Sequence, residues 1–235
     1  MNRLELSPRL SAIAAQVPRG ARLADVGTDH AYLPAALLLA GTIRQAVASD
    51  VNEGPLQRGR ETARAYGVDN AIAFRCCDGL AGIRPEEADA VVVAGMGGEL
   101  IARILAAAPW TREKLLLLQP MSSQPELRKW LGDQGYRIQR EVIAREGAKF
   151  YTILTVRGGT EPEPYTPAEL WAGRQRRGEE DPHRGDYLAD LILRRERALA
   201  GMRRGASCPE EELAREEALL AELKTMKEAW SLWQR

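Results

Sequence analysis

Tyr136-Arg137-Ile138-Gln139-Arg140-Glu141-Val142-Ile143-Ala144-Arg145, then Glu-Gly-Ala-Lys, then Phe150-Tyr151-Thr152-Ile153-Leu154-Thr155-Val156-Arg157: the reading of this stretch decides the fold. Two runs rich in Ile, Val, Thr and aromatic residues, joined by a short link containing Gly, read as an antiparallel hairpin. The chain before it has another rhythm. Apolar runs bounded by Gly, Asp or Asn at Arg22–Gly27, Gln45–Val51, Ala71–Asp78, Ala90–Gly95 and Lys114–Gln119 read as buried parallel strands. His30–Ala40, Gly54–Tyr66, Gly98–Ala107 and Pro125–Gln134 alternate with them and have the length and composition of helices. This order predicts an α/β protein: a Rossmann-like, doubly wound sheet with right-handed crossovers, closed by an antiparallel β-hairpin. A dinucleotide-binding domain would continue with further βα units instead.

Downstream of the hairpin, Gly158-Gly159-Thr160-Glu161-Pro162-Glu163-Pro164 reads as a linker. Beyond it, Tyr187, Leu188, Leu191, Ile192, Ala198, Leu199 and Met202 recur at helical spacing, as do Leu213, Leu219, Leu220, Leu223, Met226, Trp230 and Trp233. Ser207, with Pro209 and Glu210 after it, reads as the capping start of the second helix. A helical hairpin resembling a short antiparallel coiled coil is expected. Two domains follow, residues 1–160 and residues 161–235.

Lys plus Arg number 33 and Asp plus Glu 33, so bulk charge makes no case for a polyanionic partner, which must meet a local patch. Cys76, Cys77 and Cys208 show no metal-ligand spacing; they read as buried or half-buried thiols in a reducing compartment, and no metal is expected. The first residues lack the apolar core of a signal peptide, and the longest apolar stretch, Ala31–Ala40, is too short to span a bilayer and is broken by Pro34. A cytoplasmic protein is the expectation.

Ligands of open α/β sheets bind beyond the carboxyl ends of the strands. The first strand ends in Leu23-Ala24-Asp25-Val26-Gly27-Thr28-Asp29-His30. Gly27 permits a tight turn and close approach of a ligand. Asp29 stands where a second glycine of a pyrophosphate-binding turn would be; it would repel a pyrophosphate but suits a ligand with an amino group, such as the methionyl portion of S-adenosylmethionine. The alternative is a turn in which Thr28 or Asp29 merely caps a helix. Asp50, ending the second strand, is placed to accept from ribose hydroxyls or to cap the next helix. Asp78, before Gly79, can take an adenine amino group or simply form an Asp-Gly turn. Acidic residues at three neighbouring strand ends together favour an adenosyl ligand. Val91-Val92-Val93-Ala94-Gly95-Met96-Gly97-Gly98 after the fourth strand reads as an open glycine floor for a flat substrate, and Gln119-Pro120-Met121 after the fifth closes the same rim.

Class I methyltransferases end their sheet with such a hairpin. More specifically, Ala24-Asp25-Val26-Gly27-Thr28-Asp29-His30-Ala31-Tyr32-Leu33-Pro34, Val93-Ala94-Gly95-Met96-Gly97-Gly98 and Leu118-Gln119-Pro120 closely resemble the bacterial TrmK family, whose members methylate N1 of adenine 22 in tRNA. The resemblance runs from about Leu6 to Arg157. It implies S-adenosylmethionine as cofactor, held by Asp25, Gly27, Thr28, Asp29, Asp50, Val51, Asp78, Gly79, Ala94 and Gly95. It implies that His30, Tyr32, Met96 and Gly97 surround the transferred methyl group, and that Arg9, Gln119, Pro120, Lys149 and Tyr151 meet the RNA. Met121 departs from the Asn that family members carry after the Gln-Pro, which leaves no side-chain amide there to read a base. Arg145 flanks the same rim, while Arg194, Arg195, Arg197, Arg203 and Arg204 form either an RNA-docking stripe or a solvated, salt-bridged face. The competing readings are a methyltransferase for another base or a small molecule, and a non-catalytic RNA-binding adaptor. Oligomeric state stays open.

Overall fold

The computed structural model describes residues 4–205 and 208–234. A helix that the periodicity did not reveal comes first: α1 (Pro8–Ala14) begins at Ser7, whose side chain accepts from the Leu10 N–H, with Pro8 pre-set for the first turn. Five parallel strands follow, β1 (Arg22–Val26), β2 (Gln45–Asp50), β3 (Ile72–Cys76), β4 (Ala90–Gly97) and β5 (Leu115–Ser122), alternating with α2 (Tyr32–Leu39), α3 (Glu53–Ala65), α4 (Gly98–Ala106) and α5 (Gln124–Asp133). The hairpin is β6 (Tyr136–Glu146) and β7 (Lys149–Gly158). All seven strands form one sheet in the order β3-β2-β1-β4-β5-β7-β6.

β7 is inserted between β5 and β6, antiparallel to both, with Leu118 opposite Leu154. The sheet is therefore the Rossmann-like methyltransferase arrangement that the hairpin implied. Central strands are apolar on both faces because helices cover both. Val92 and Leu117 pack with Ile13, Leu33 and Leu37, whereas their neighbours Val91, Val93, Leu116 and Leu118 are also fully buried and point the other way.

The strand boundaries differ from expectation in one place that matters. β3 stops at Cys76, so Cys77 and Asp78 lie past its end in the following turn. Cys76 is exposed, not buried, because it ends an edge strand, while Cys77 is half-buried against Gly82.

Contacts divide the chain into two compact units, one ending at Pro162 and the other beginning at Glu163. The second holds α6 (Pro167–Ala172), which the sequence reading missed, α7 (Arg184–Arg204) and α8 (Glu210–Trp233). Thr166 caps α6 in a reciprocal box with Glu169. α8 returns along α7, with Gly185 beside Trp230 near one end and Arg195 paired with Glu216 farther on. The expected cap Ser207 lies outside the described residues; α8 starts at Glu210, with Pro209 in the capping position. No helix among the described residues is long and apolar enough to cross a membrane.

One buried ion pair ties α5 to the hairpin. Arg128 Nη2 lies 2.7 Å from Glu141 Oε2, with side chains 0% and 3% exposed. Removing one partner strands a charge in the core, whereas removing both does not. Arg128→Met should cost about 3–5 kcal/mol in urea denaturation, and adding Glu141→Leu should return most of it. A double variant no more stable than the single one would show that the charge is not the source of the loss.

Candidate functional site

The carboxyl ends of β1, β2 and β4 meet at one rim, and the turn after β3 borders it. At the end of β1 the chain makes an unusual entry into α2. Gly27 has φ of 74°, and a Cβ there would stand 2.1 Å from the Met96 methyl, so with glycine at this position the turn after β1 packs directly against the end of β4. Ala31 then adopts φ of 52° immediately before α2, and no side chain caps that helix. Thr28, Asp29 and His30 are therefore not caps. The capping alternative fails for this turn, and the polar groups point to another use.

Each of those groups has a distinct environment. Asp25 is buried, and desolvation pushes its carboxyl up to about 6, with slight relief from the nearby Thr28 hydroxyl. That hydroxyl is itself buried and makes no well-formed hydrogen bond, an orphan that a ligand group would satisfy. The Asp29 carboxylate is 65% exposed and pairs with Arg58, with His30 Nε2 at 3.6 Å. His30 and Tyr32 stack on each other, centroids 5.0 Å apart and planes 2° from parallel. They make a small aromatic platform with Tyr32 facing solvent.

Asp50 accepts from the Asn52 N–H at 2.8 Å, and no side chain caps α3. The neighbouring Val51 is exposed. Asp78 is exposed, and its carboxylate has no hydrogen-bond partner among the described residues, while Gly79 turns the chain with φ of 54°. Three acidic side chains thus end or follow adjacent strands with hydrogen-bonding capacity left over.

The glycine floor after β4 is smaller than the sequence suggested. A Cβ on Gly98 would meet the Ser123 carbonyl at 2.4 Å, and one on Gly97 would stand 3.1 Å from Ser122 Oγ. These two glycines let the turns after β4 and β5 pack together. Of the turn's glycines, Gly95 alone is exposed, beside the half-buried Ala94 and Met96. Ser123, with φ of 51°, and Ala31 are the two non-glycine residues of left-handed conformation among the described residues. Both stand on this rim, each at a cost of ~1–3 kcal/mol.

α1 and the hairpin supply a further wall. Gln119 is fully buried, and its Oε1 accepts from Arg9 Nη1 at 2.8 Å and from the Gly95 N–H at 3.1 Å. Its Nε2 donates to the Pro120 carbonyl and toward Met121 Sδ. Every polar atom of Gln119 is engaged, and Pro120 is buried too, so neither residue presents itself to a substrate as expected. The group presented is Arg9, held over Gly95 with its guanidinium 5.7 Å from the centre of the Tyr151 ring. Lys149 stands exposed at the start of β7, at the same end of the sheet. Among the described residues no cluster of His, Cys, Asp and Glu could hold a metal ion.

The sheet order and the polar strand ends define a Rossmann-like methyltransferase domain. Comparison with known proteins agrees: residues 6–154 match the family described as "Methyltransferase domain". The tRNA (adenine(22)-N(1))-methyltransferase of Bacillus subtilis (strain 168) is 39% identical over 175 residues, 74% of this chain and 74% of that protein. The crystal structure of the B. subtilis M1A22 tRNA methyltransferase TrmK superposes with a TM-score of 0.82 at 31% identity, covering 94% of this chain and 99% of that one. A Streptococcus pneumoniae structure in complex with S-adenosyl-L-methionine gives 0.80 at 33% identity, covering 93% and 99%. The chain belongs to the TrmK family of tRNA (adenine(22)-N(1))-methyltransferases.

Burial of Asp25 carries a stability cost with a definite sign. The native carboxyl holds its proton up to about pH 6, whereas the unfolded one releases it near the ordinary carboxylate value. The native state therefore loses stability as pH rises between those two values and stays lower above them. Asp25→Asn should raise unfolding stability by about 2–3 kcal/mol at pH 7.5, and change it little at pH 4. A gain of equal size at both pH values would show that ionisation of Asp25 is not the cause.

Proposed function

We propose that this protein is a cytoplasmic enzyme that transfers the methyl group of S-adenosylmethionine to N1 of adenine 22 in tRNA. One observation carries the cofactor assignment: the acidic and hydroxyl side chains at the ends of β1 and β2 and after β3 cap no helix, and the buried Thr28 hydroxyl makes no well-formed hydrogen bond among the described residues. Asp50 and Val51 suit the ribose, Asp78 and Gly79 the adenine edge, and Asp29 the amino group of the methionyl portion. Asp25, Gly27, Thr28, Ala94 and Gly95 line the space between. When bound, the cofactor supplies an electrophilic methyl group on a sulfonium.

Adenine N1 already carries a lone pair, so the acceptor needs no general base, and the protein's task is alignment. The base must leave its stack to expose N1. His30 and Tyr32 offer it a flat aromatic surface, and Met96 and Gly97 bound the same space. Arg9, Lys149 and Tyr151 suit the flanking phosphates and bases, with Gln119 and Pro120 acting from behind as supports for Arg9.

Residues 1–160 form the cofactor-binding unit in this reading, and residues 161–235 assist RNA docking. Ion pairs restrict that second role. Arg194 pairs with Asp190, Arg195 with Glu216 and Arg203 with Glu217, and acidic side chains outnumber basic ones beyond residue 162. Arg197 and Arg204 are the α7 arginines left for phosphates.

Purified protein should methylate unmodified tRNA carrying A22 and fail on the same tRNA with G22, nucleoside analysis yielding N1-methyladenosine. Product on the G22 transcript would reject the assigned position, and methylation only of small molecules would reject RNA. Asp50→Ala should weaken S-adenosylmethionine binding by about 1–3 kcal/mol while leaving the melting temperature in place. A chain ending near Gly159 should keep cofactor affinity and methylate tRNA poorly; full efficiency would remove the tail from docking.

A further inference from the structure

Arg58 was not singled out by any motif, yet it stands at the mouth of the site. It lies in the second turn of α3 and reaches back past Gly54 to the Asp29 carboxylate. Asp29 follows β1, and α3 follows β2 with Asp50 at its end. The pair therefore bridges the openings of two adjacent strands, where an open α/β sheet takes its ligand.

As a source of stability this contact is weak. Its side chains are 46% and 65% exposed, and such pairs contribute about 0–1 kcal/mol. Both partners keep unused capacity. Among the described residues Asp29 Oδ2 has His30 Nε2 at a distance too long for a hydrogen bond, and the Arg58 side chain makes no hydrogen bond or ion pair besides that to Asp29. A carboxylate alone would attract an ammonium but repel the carboxylate that an α-amino acid carries on the same carbon. A guanidinium beside it removes that conflict, because its planar fork of donors matches a carboxylate.

We propose that Asp29 and Arg58 form a receptor for the zwitterionic amino-acid end of the cofactor, Asp29 taking the ammonium and Arg58 the α-carboxylate. The proposal rests on the S-adenosylmethionine assignment and adds a specificity residue to it. The pair is neutral as a whole and meets a neutral zwitterion with alternating charges. It selects for ligands that keep both charged groups.

Calorimetric titration of the full-length protein with S-adenosylhomocysteine and with 5′-methylthioadenosine separates the parts, because the second ligand has the nucleoside and thioether but no amino acid. Arg58→Gln should raise the Kd for S-adenosylhomocysteine about tenfold, the loss of one charge-assisted hydrogen bond, and change that for 5′-methylthioadenosine less than about twofold. Arg58→Lys, which keeps the charge but not the fork, should fall between wild type and Arg58→Gln. Arg58→Gln binding S-adenosylhomocysteine as tightly as wild type, or more tightly, overturns the proposal, since Arg58 would then be a bystander or a competitor of the ammonium. Equal losses for both ligands overturn it as well, assigning Arg58 to the shape of the pocket. Wild-type protein that binds neither ligand rejects the cofactor assignment itself, an outcome distinct from a wild type that binds both and an Arg58 variant that behaves identically.

Discussion

Burial of β1, β4 and β5 on both faces leaves their carboxyl ends as the places where the central sheet can offer polar groups to a ligand, and the whole site depends on that constraint. Side chains within these strands are committed to the two apolar layers, as the complete burial of Val91 to Val93 and Leu116 to Leu118 shows. Chemistry is displaced to the residues where pairing stops. There the backbone turns sharply, and it does so at Gly27 and Gly95 and, with strain, at Ala31 and Ser123. Strained residues persist only where the surroundings hold them, and here the packed sheet does so.

The rim closes because elements distant in sequence are held on the same few atoms. Gln119 is the clearest case: one buried amide oxygen accepts from the guanidinium of Arg9 on α1 and from the main-chain N–H of Gly95 near the end of β4. A buried acceptor with two donors is costly to disturb. Through it the amino-terminal helix, the fourth strand and the fifth are fixed in register with the hairpin, since Arg9 also stacks over Tyr151 and its main-chain N–H meets Glu146. Insertion of β7 beside β5 brings Tyr151 within reach of Arg9.

Charge is distributed in the same spirit. Many charged groups of the helical unit neutralise one another, as Arg195 with Glu216 and Lys224 with Glu196 illustrate. Those of the rim stay partly unspent: the Asp78 carboxylate has no hydrogen-bond partner among the described residues, Asp29 is exposed, and Arg9 has donors beyond the one given to Gln119. Exposed ion pairs contribute little to stability, so an ionic site can be kept open for a ligand without weakening the fold.

The succession of strands and helices, the closing hairpin and the acidic residues at or after the strand ends were legible from the chain alone, because period, turn residues and acidic punctuation are local properties. Asp25, Asp29, Asp50 and Asp78 could be found in this way, as could the kinship carried by Asp-His-Ala-Tyr-Leu-Pro. Tertiary structure decided what each group does with its neighbours. It buried Gln119 and set the half-buried Arg9 in front of it, turned Gly97 and Gly98 into packing contacts, and brought Arg58 to Asp29 across a separation of 29 residues. It also paired Arg195 and Arg203 of the tail, for which the sequence offered both a docking stripe and a salt-bridged face. The reason is physical: propensity and periodicity act over one helix turn or one pleat, whereas the partner of a polar side chain is chosen by the packing of elements far apart in the chain.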